Sequence, residues 1–399
     1  MITSRRSRVA AVLLVVPALA ACSDLFKVSN PGPIPSSSLG TSAAAAGIVT
    51  GISAELSTGI GRTYLEGAVV AREIFFANSN NAYDNGGTVT PDDDDGTWSD
   101  AQTARWVAEH GVLRLQSALG SDYNKNPLAA RANLLAGFAN RMIGENFCQT
   151  VIDGGPAQDR TVSFQRAEAY FTEALAIESA AGDNSYATAA YGGRASVEAW
   201  LGESAKAAAD AQQVPIDYEY DAIYNTANNL LNTFGANTWD AQEISVYGSL
   251  FQADSLDPRT PSTLTGGQSQ DGKTPFQAQE KYLSDSSYLP LTKGTEMLTL
   301  RAELALGGGD ITTEMQLLNQ VRAFYGIAPL ATPADVGTAW ADLRFERGHT
   351  LWLEGRRYWD LQRWFAATGS AHDTTLTNRA KCLPIGRTEL QTNPNLHGH

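Results

Sequence analysis

Residues 163–215 constrain the fold more than any other stretch. Ala167, Tyr170, Phe171, Ala174, Leu175 and Ile177 recur at spacings of three and four, which puts one continuous apolar stripe along a helix. Turn formers from Asp183 to Ser185 end it. A second helix follows, with Tyr191, Ala195, Ala199 and Leu201 facing one way. Gly202 then permits a sharp turn into an alanine-rich helix over 205–211, which stops at Pro215. Small residues on a helix face let a neighbour approach closely. A helical hairpin of this kind cannot bury its own stripe, so similar hairpins must stack on it.

The rest of the chain supplies them. The texture of alanines, large rings and a Leu-Gly turn is tetratricopeptide-like. A helix is predicted over 42–77, with Ile48, Ile52, Leu56, Leu65, Val69 and Phe76 as core candidates. Others are predicted over 101–119 and from Pro127. A second clear hairpin spans 295–306 and 314–325 across Gly307–Gly309, with Leu317, Leu318, Val321, Phe324 and Tyr325 as its stripe. Thr332, Pro333 and Asp335 have the pattern of a helix start, read on to Gly355. The expectation is a mainly α protein: stacked helical hairpins in a single domain over 43–396, with few short strands. Residues 216–293 interrupt it with an irregular insertion rich in aromatics, where only 244–251 hints at a strand. Those rings argue against disorder, and a long irregular segment in a compact fold is usually functional.

The N-terminus reads as a sorting signal. Arg5, Arg6 and Arg8 precede a short apolar run and small residues, the pattern of a secretory signal over residues 1–21, too short to span a membrane. Leu19–Ala20–Ala21–Cys22 resembles the lipobox of bacterial lipoproteins, which implies lipidation of Cys22. Residues 22–42 then read as a tether. Removing residues 1–21 takes away three arginines and no acid, so the net charge of −14 becomes −17. That excludes broad binding to nucleic acid. Cys148 and Cys382 remain, either as a disulfide or as two buried thiols.

Few motifs carry chemistry. Residues 267–274 formally match G-x-x-x-x-G-K-T, but no strand precedes them and Pro275 follows, so a phosphate cradle is not expected. HExxH and G-x-S-x-G are absent, and the five histidines are scattered. The acids Asp92–Asp95 are contiguous, unlike an EF-hand loop, and read as a solvated turn within a polar loop over 78–100. No metal or cofactor is expected. Glu346, Arg347, Glu354, Arg357, Asp360 and Arg363 mix acids and arginines at helical spacing. They read as a structural ion-pair network, with the neighbouring aromatics as core.

That C-terminal stretch resembles the signature of the SusD/RagB family: a Glu-Arg pair on a helix, then Glu-Gly-x-Arg-x-x-Asp-Leu-x-Arg. Glu346, Arg347, Glu354, Gly355, Arg357, Asp360, Leu361 and Arg363 carry it. Asp257–Pro258–Arg259 and the ending Asn393–Pro394–Asn395–Leu396 are similar to family segments as well. The resemblance implies an outer-membrane lipoprotein with a tetratricopeptide-like scaffold, facing the cell exterior. It would bind glycans or similar nutrients for a SusC-like TonB-dependent transporter, without catalysis. A helical-repeat assembly protein is the alternative, and an enzyme acting on extracellular polymer a third. Ligand contacts are expected from loop rings and amides that stack on sugars and bond hydroxyls: Tyr83, Asn85, Trp98, Trp239 and Tyr288.

Overall fold

The computed structural model describes residues 40–78, 84–368 and 373–396. Cys22, the signal segment and Tyr83 lie outside them. The fold is mainly helical, as expected. Six helices form the first half: α1 (Ala45–Val70), α2 (Asp95–Leu119), α3 (Pro127–Asn146), α4 (Thr161–Ala181), α5 (Ala187–Trp200) and α6 (Ser204–Ala211). After a three-residue turn of helix, α7 (Thr233–Gly235), come α8 (Gly294–Gly307), α9 (Ile311–Phe324), α10 (Val336–Thr350), α11 (Arg357–Thr368) and α12 (Arg387–Thr392). Helices adjacent in sequence pack against each other, α1 on α2, α3 on α4, α5 on α6 and α8 on α9.

The close approach inferred for the central hairpin is visible around one ring. Phe171 of α4 lies between Gly137 of α3 and Gly193 of α5, where an added Cβ would sit 2.6 and 2.4 Å from it. Residues Ser42–Val70 are long and apolar enough to cross a membrane by length and composition. Here α1 packs on α2 and α3, with Ile52, Leu56 and Ile60 buried. A second core cluster holds Leu298, Leu306, Met315, Leu318, Val321 and Leu343 from α8, α9 and α10. Phe324 departs from the expected stripe and is exposed.

The insertion contains more strand than its sequence suggests. Short antiparallel pairs join β1 (Phe75–Phe76) to β5 (Ile244–Ser245), β2 (Gln149–Val151) to β3 (Ala157–Asp159), β4 (Glu219–Ala222) to β8 (Leu289–Lys293) and β6 (Ser262–Gln268) to β7 (Pro275–Gln279). These strands are short and often polar, so no alternation marks them. The Gly267–Thr274 match is the β6–β7 hairpin loop, where the Asp271 carboxylate accepts from the Lys273 and Thr274 amides at 2.8 Å. Helix α10 also starts later than expected. Its N-cap is Asp335, which accepts from the Thr338 amide at 3.0 Å, and Pro333 lies outside the helix. It ends at Thr350 because Leu353 and Gly355 take positive φ values of 57° and 71°.

The two halves are bolted together by buried charge. Arg141 of α3 donates to Glu145 at 2.7 Å and to Glu296 of α8 at 2.6 Å. Arg356 donates to Glu145 and to the Tyr64 hydroxyl of α1. Gly355 makes room: an added Cβ would meet the Tyr64 ring at 2.2 Å. The expected signature network lies alongside. Arg347 reaches Asp360 at 2.7 Å, Arg363 grips Glu303 at 2.6 and 2.9 Å, and Glu346 accepts from Arg259 at 2.6 Å and from Arg322. Arg357 lies over the Phe251 ring at 5.5 Å. Trp359 is buried rather than in an open cleft.

Burial opposes ionisation of Glu296, yet Arg141, Arg356 and Arg347 hold its carboxyl down to about 2. Its folded value lies below the unfolded one of 4.5, so its contribution is complete above pH 4.5 and is lost as pH falls through 2. Replacing one partner of a buried pair leaves the other uncompensated. Glu296→Gln is expected to lower stability by about 3–5 kcal/mol at neutral pH and to flatten the decline between pH 4.5 and 2. Urea midpoints across that range check both; an unchanged midpoint at pH 7 refutes the assignment.

Candidate functional site

The polar loop after α1 and the irregular insertion come together on one face. Pairing of β1 with β5 places Phe76 opposite Ile244. The ladder continues into the loops: the Ala77 amide donates to the Glu243 carbonyl at 2.6 Å, and the Asp271 amide to the Ala77 carbonyl at 2.9 Å. Asn85 closes the loop back on this edge. Its side chain accepts from the Phe76 amide at 2.8 Å and donates to the Phe76 carbonyl at 2.7 Å, as a third strand would. Arg379 fixes Asn85 from the other side, donating to its carbonyl at 3.0 Å and to the ends of α1 at Val69 and Val70.

These contacts frame a depression of about 240 Å³ lined by Arg62, Glu66, Asn78, Asp93, Asn237 and Glu243, among others. Arg62 pairs with Asp100 at 3.0 Å, and Glu243 accepts from Gln270 at 2.8 Å. Gln242 beside it holds a positive φ of 54°, an unfavourable backbone state that the surrounding ladder maintains. Trp239 lies in the same tight turn as Asn237 and is 37% exposed; its indole N–H donates to the Tyr282 carbonyl at 2.7 Å. A ring fixed by its edge and partly exposed suits a ligand with apolar faces, and the carboxylates and amides of the depression suit one with many hydroxyls.

Comparison with known proteins agrees with this architecture. Residues 277–397 match the SusD family model. A putative sugar-binding protein from Bacteroides vulgatus superposes with a TM-score of 0.67 at 16% identity, over 89% of this chain and 97% of the other. A SusD/RagB-family protein from Bacteroides thetaiotaomicron gives 0.65 at 13%, over 88% and 94%. A laminarin-binding SusD-like protein gives 0.64 at 14%, over 89% and 99%. The fold is SusD-like. A search of curated proteins finds no match.

Within the SusD-like fold, the expected ligand residues do not gather in one place. Asn85 uses its amide to clasp the loop. Trp98 is not in a loop; it sits in the first turns of α2, because that helix begins at Asp95 rather than near 101. It is buried, edge-on to Phe147 at 5.1 Å. Tyr288 is 53% exposed at a separate depression of about 330 Å³ shared with Tyr325, Lys281 and Lys293. The Asp92–Asp95 run is not simply solvated: Asp92 pairs with Arg387 at 3.1 Å, and Asp95 accepts from the Thr388 amide and hydroxyl at 2.7 Å each. Those bonds hold the Asp95 carboxyl below its usual range. Cys148 and Cys382 form a disulfide with Cα atoms 5.0 Å apart. The polar lining residues Arg62, Asn78, Asn237 and Glu243 carry no periodic signal that sequence reasoning could have used.

Asn85→Ala removes both bonds to Phe76, each worth about 1 kcal/mol. The expected result is roughly tenfold faster amide exchange at Phe76 and Ala77, with the core helices unchanged. Exchange rates equal to wild type would show that the loop is held by other contacts.

Proposed function

We propose that this chain is a lipid-anchored outer-membrane protein that binds glycans or similar nutrients at the cell surface and passes them to a SusC-like TonB-dependent transporter. The observation that carries the reading is the fold, shared over most of each chain with structures described as sugar-binding and laminarin-binding. The family match over 277–397 and the lipobox-like Leu19–Ala20–Ala21–Cys22 support the anchored, family-like role. Two features support ligand chemistry: the partly exposed Trp239 indole, and a depression with amide and carboxylate groups for hydroxyls.

Binding without bond cleavage is the expected chemistry. A glycan gains from stacking on fixed rings and from hydrogen bonds to groups already held in place, so little ordering is needed on association. Trp239, Asn85 and Tyr83 are proposed contacts, with Tyr288 on its own depression.

Calorimetric titration of the purified chain against a panel of neutral hexaoses, laminarihexaose included, tests the reading. Binding is expected for at least one, with the hexaose recovered intact, and Trp239→Ala is expected to weaken it about tenfold, the loss of about 1.4 kcal/mol of stacking. No heat from any member, or shortened products, would count against a binding protein. Labelled palmitate should be incorporated in cells expressing the native chain and not the Cys22→Ala variant; equal labelling would remove the anchor.

A further inference from the structure

A depression of about 480 Å³ lies away from the face described above. Both depressions border the first turns of α2 from opposite sides. Gly96, Thr97 and Asp100 turn toward the loop side, and Asp95, Trp98, Gln102 and Trp106 face the other. At 3.6 residues per turn these sets are well separated around the helix, roughly 10 Å across.

The second depression is a rigid cradle. Its far wall is the β2–β3 turn, where Asp153 and Gly154 take positive φ values of 50° and 71°, the signs a type I′ turn requires. The buried Arg105 guanidinium bonds Glu109 at 2.7 Å and Asp153 at 3.1 Å, fixing that turn to α2. The C-terminal strap completes the wall. Asn393 and Asn395 donate to the carbonyls of Gly155 and Gly154 at 2.9 and 2.8 Å, and Thr388 is held by Asp95. The Cys148–Cys382 disulfide ties the strap to the strand that leads into the turn.

Into this cradle the protein presents an aromatic face, with two unpaired donors buried just beneath its surface. Trp106 is 45% exposed, its ring stacked on His110 at 4.1 Å, so its orientation is set. Trp98, 2% exposed, and Gln102 also line the depression, and the Trp98 indole N–H and the Gln102 amide nitrogen have no acceptor. Buried donors are nearly always paired, so orphans beside a cleft mark a place for a polar guest.

We infer that this cleft is a second, independent sugar-contact site that takes a neutral pyranose ring, stacked on Trp106 with hydroxyls toward Gln102. The inference rests on the glycan-binding reading and adds a site to it. The charge of the lining sets the ligand class. Asp95, Asp153 and Glu389 outnumber Arg105, whose guanidinium is already engaged. Uronic or sulfated sugars are therefore repelled.

The test uses the full chain labelled with 5-fluorotryptophan, the Trp106, Trp98 and Trp239 resonances being assigned by Phe replacement. It is titrated with the neutral hexaose panel and with an oligogalacturonate of equal length. The Trp106 resonance is expected to shift with a neutral hexaose and to keep shifting, at the same midpoint, in Trp239→Ala. Gln102→Glu, which keeps the oxygen that accepts from Arg105 Nε at 3.0 Å and removes the amide donor, is expected to raise that midpoint about tenfold, with an unchanged unfolding temperature showing that it folds. The galacturonate is expected to leave Trp106 unmoved. A hexaose that shifts Trp239 and not Trp106 overturns the second site and leaves the glycan reading standing. So does a Trp106 shift that vanishes in Trp239→Ala. A galacturonate that shifts Trp106 as strongly as a neutral sugar overturns the ligand class, and silence at every ring with every sugar overturns both readings.

Discussion

The structure depends on a set of ion pairs in a place where charges are normally excluded. Arg141, Glu145, Glu296 and Arg356 are almost wholly buried, and they come from α3, α8 and the bend before α11. Taking such groups out of water is costly, so each must find its partner in the correct fold and in no other. A hydrophobic seam between α3 and α8 would tolerate sliding; a guanidinium shared between two carboxylates does not. The net effect is register. The first hairpins and the last ones, about 150 residues apart in sequence, are fixed to each other by geometry that aliphatic packing alone does not provide.

The same device holds the irregular insertion against the helices. Glu354 accepts from Lys281 at 2.6 Å and Lys293 at 2.5 Å, which lie on the segments flanking the insertion's last loop. Arg259, bonded to Asp257, reaches Glu346 of α10. Glu73 accepts from the Leu353 amide at 3.0 Å, tying the end of α1 to the bend of the signature. Burial, opposed by Arg357, raises the Glu73 carboxyl to about 7, so its preference runs opposite to that of Glu296: it favours the fold below pH 4.5 and loses that as pH rises through 7. The insertion adds buried rings of its own, such as Phe234 stacked on Tyr282 at 5.5 Å. Its loops keep their shape because their ends are clamped to a frame that is already rigid.

The frame was legible in the sequence and the face was not, for a physical reason. Helix periodicity leaves a strong trace, and Phe171, Leu318 and Val321 could be placed in the core from spacing alone. The signature acids and arginines could be read as structural because their helical spacing matched. Arg141, Glu145, Glu296 and Arg356 escaped notice: each looks like an ordinary surface residue of a helix until its partner, far away in sequence, is known. Trp98 misled for a related reason. The Asp92–Asp95 run and Gly96 read as loop, but Thr388 binds Asp95 and lets α2 begin there, which carries Trp98 inside. Amides that line the depression, such as Asn78 and Asn237, have neither period nor motif.

The C-terminal strap shows how little of a repeat scaffold's shape is set by the repeats themselves. In stacked hairpins the outer face of a terminal pair needs a cover other than a neighbouring repeat. Here residues 382–396 return to that region and are fixed by a disulfide, by Thr388 on Asp95, and by two asparagines on the β2–β3 turn. A strap held only by apolar contact would slide with each breathing motion of α2. Held by one covalent bond and directional hydrogen bonds, it gives α2 a fixed wall on the strap side, while the opposite side meets loops anchored mainly through Phe76 and Arg379. One helix thus meets a separately anchored wall on each side. The two depressions that border it therefore share no lining residue.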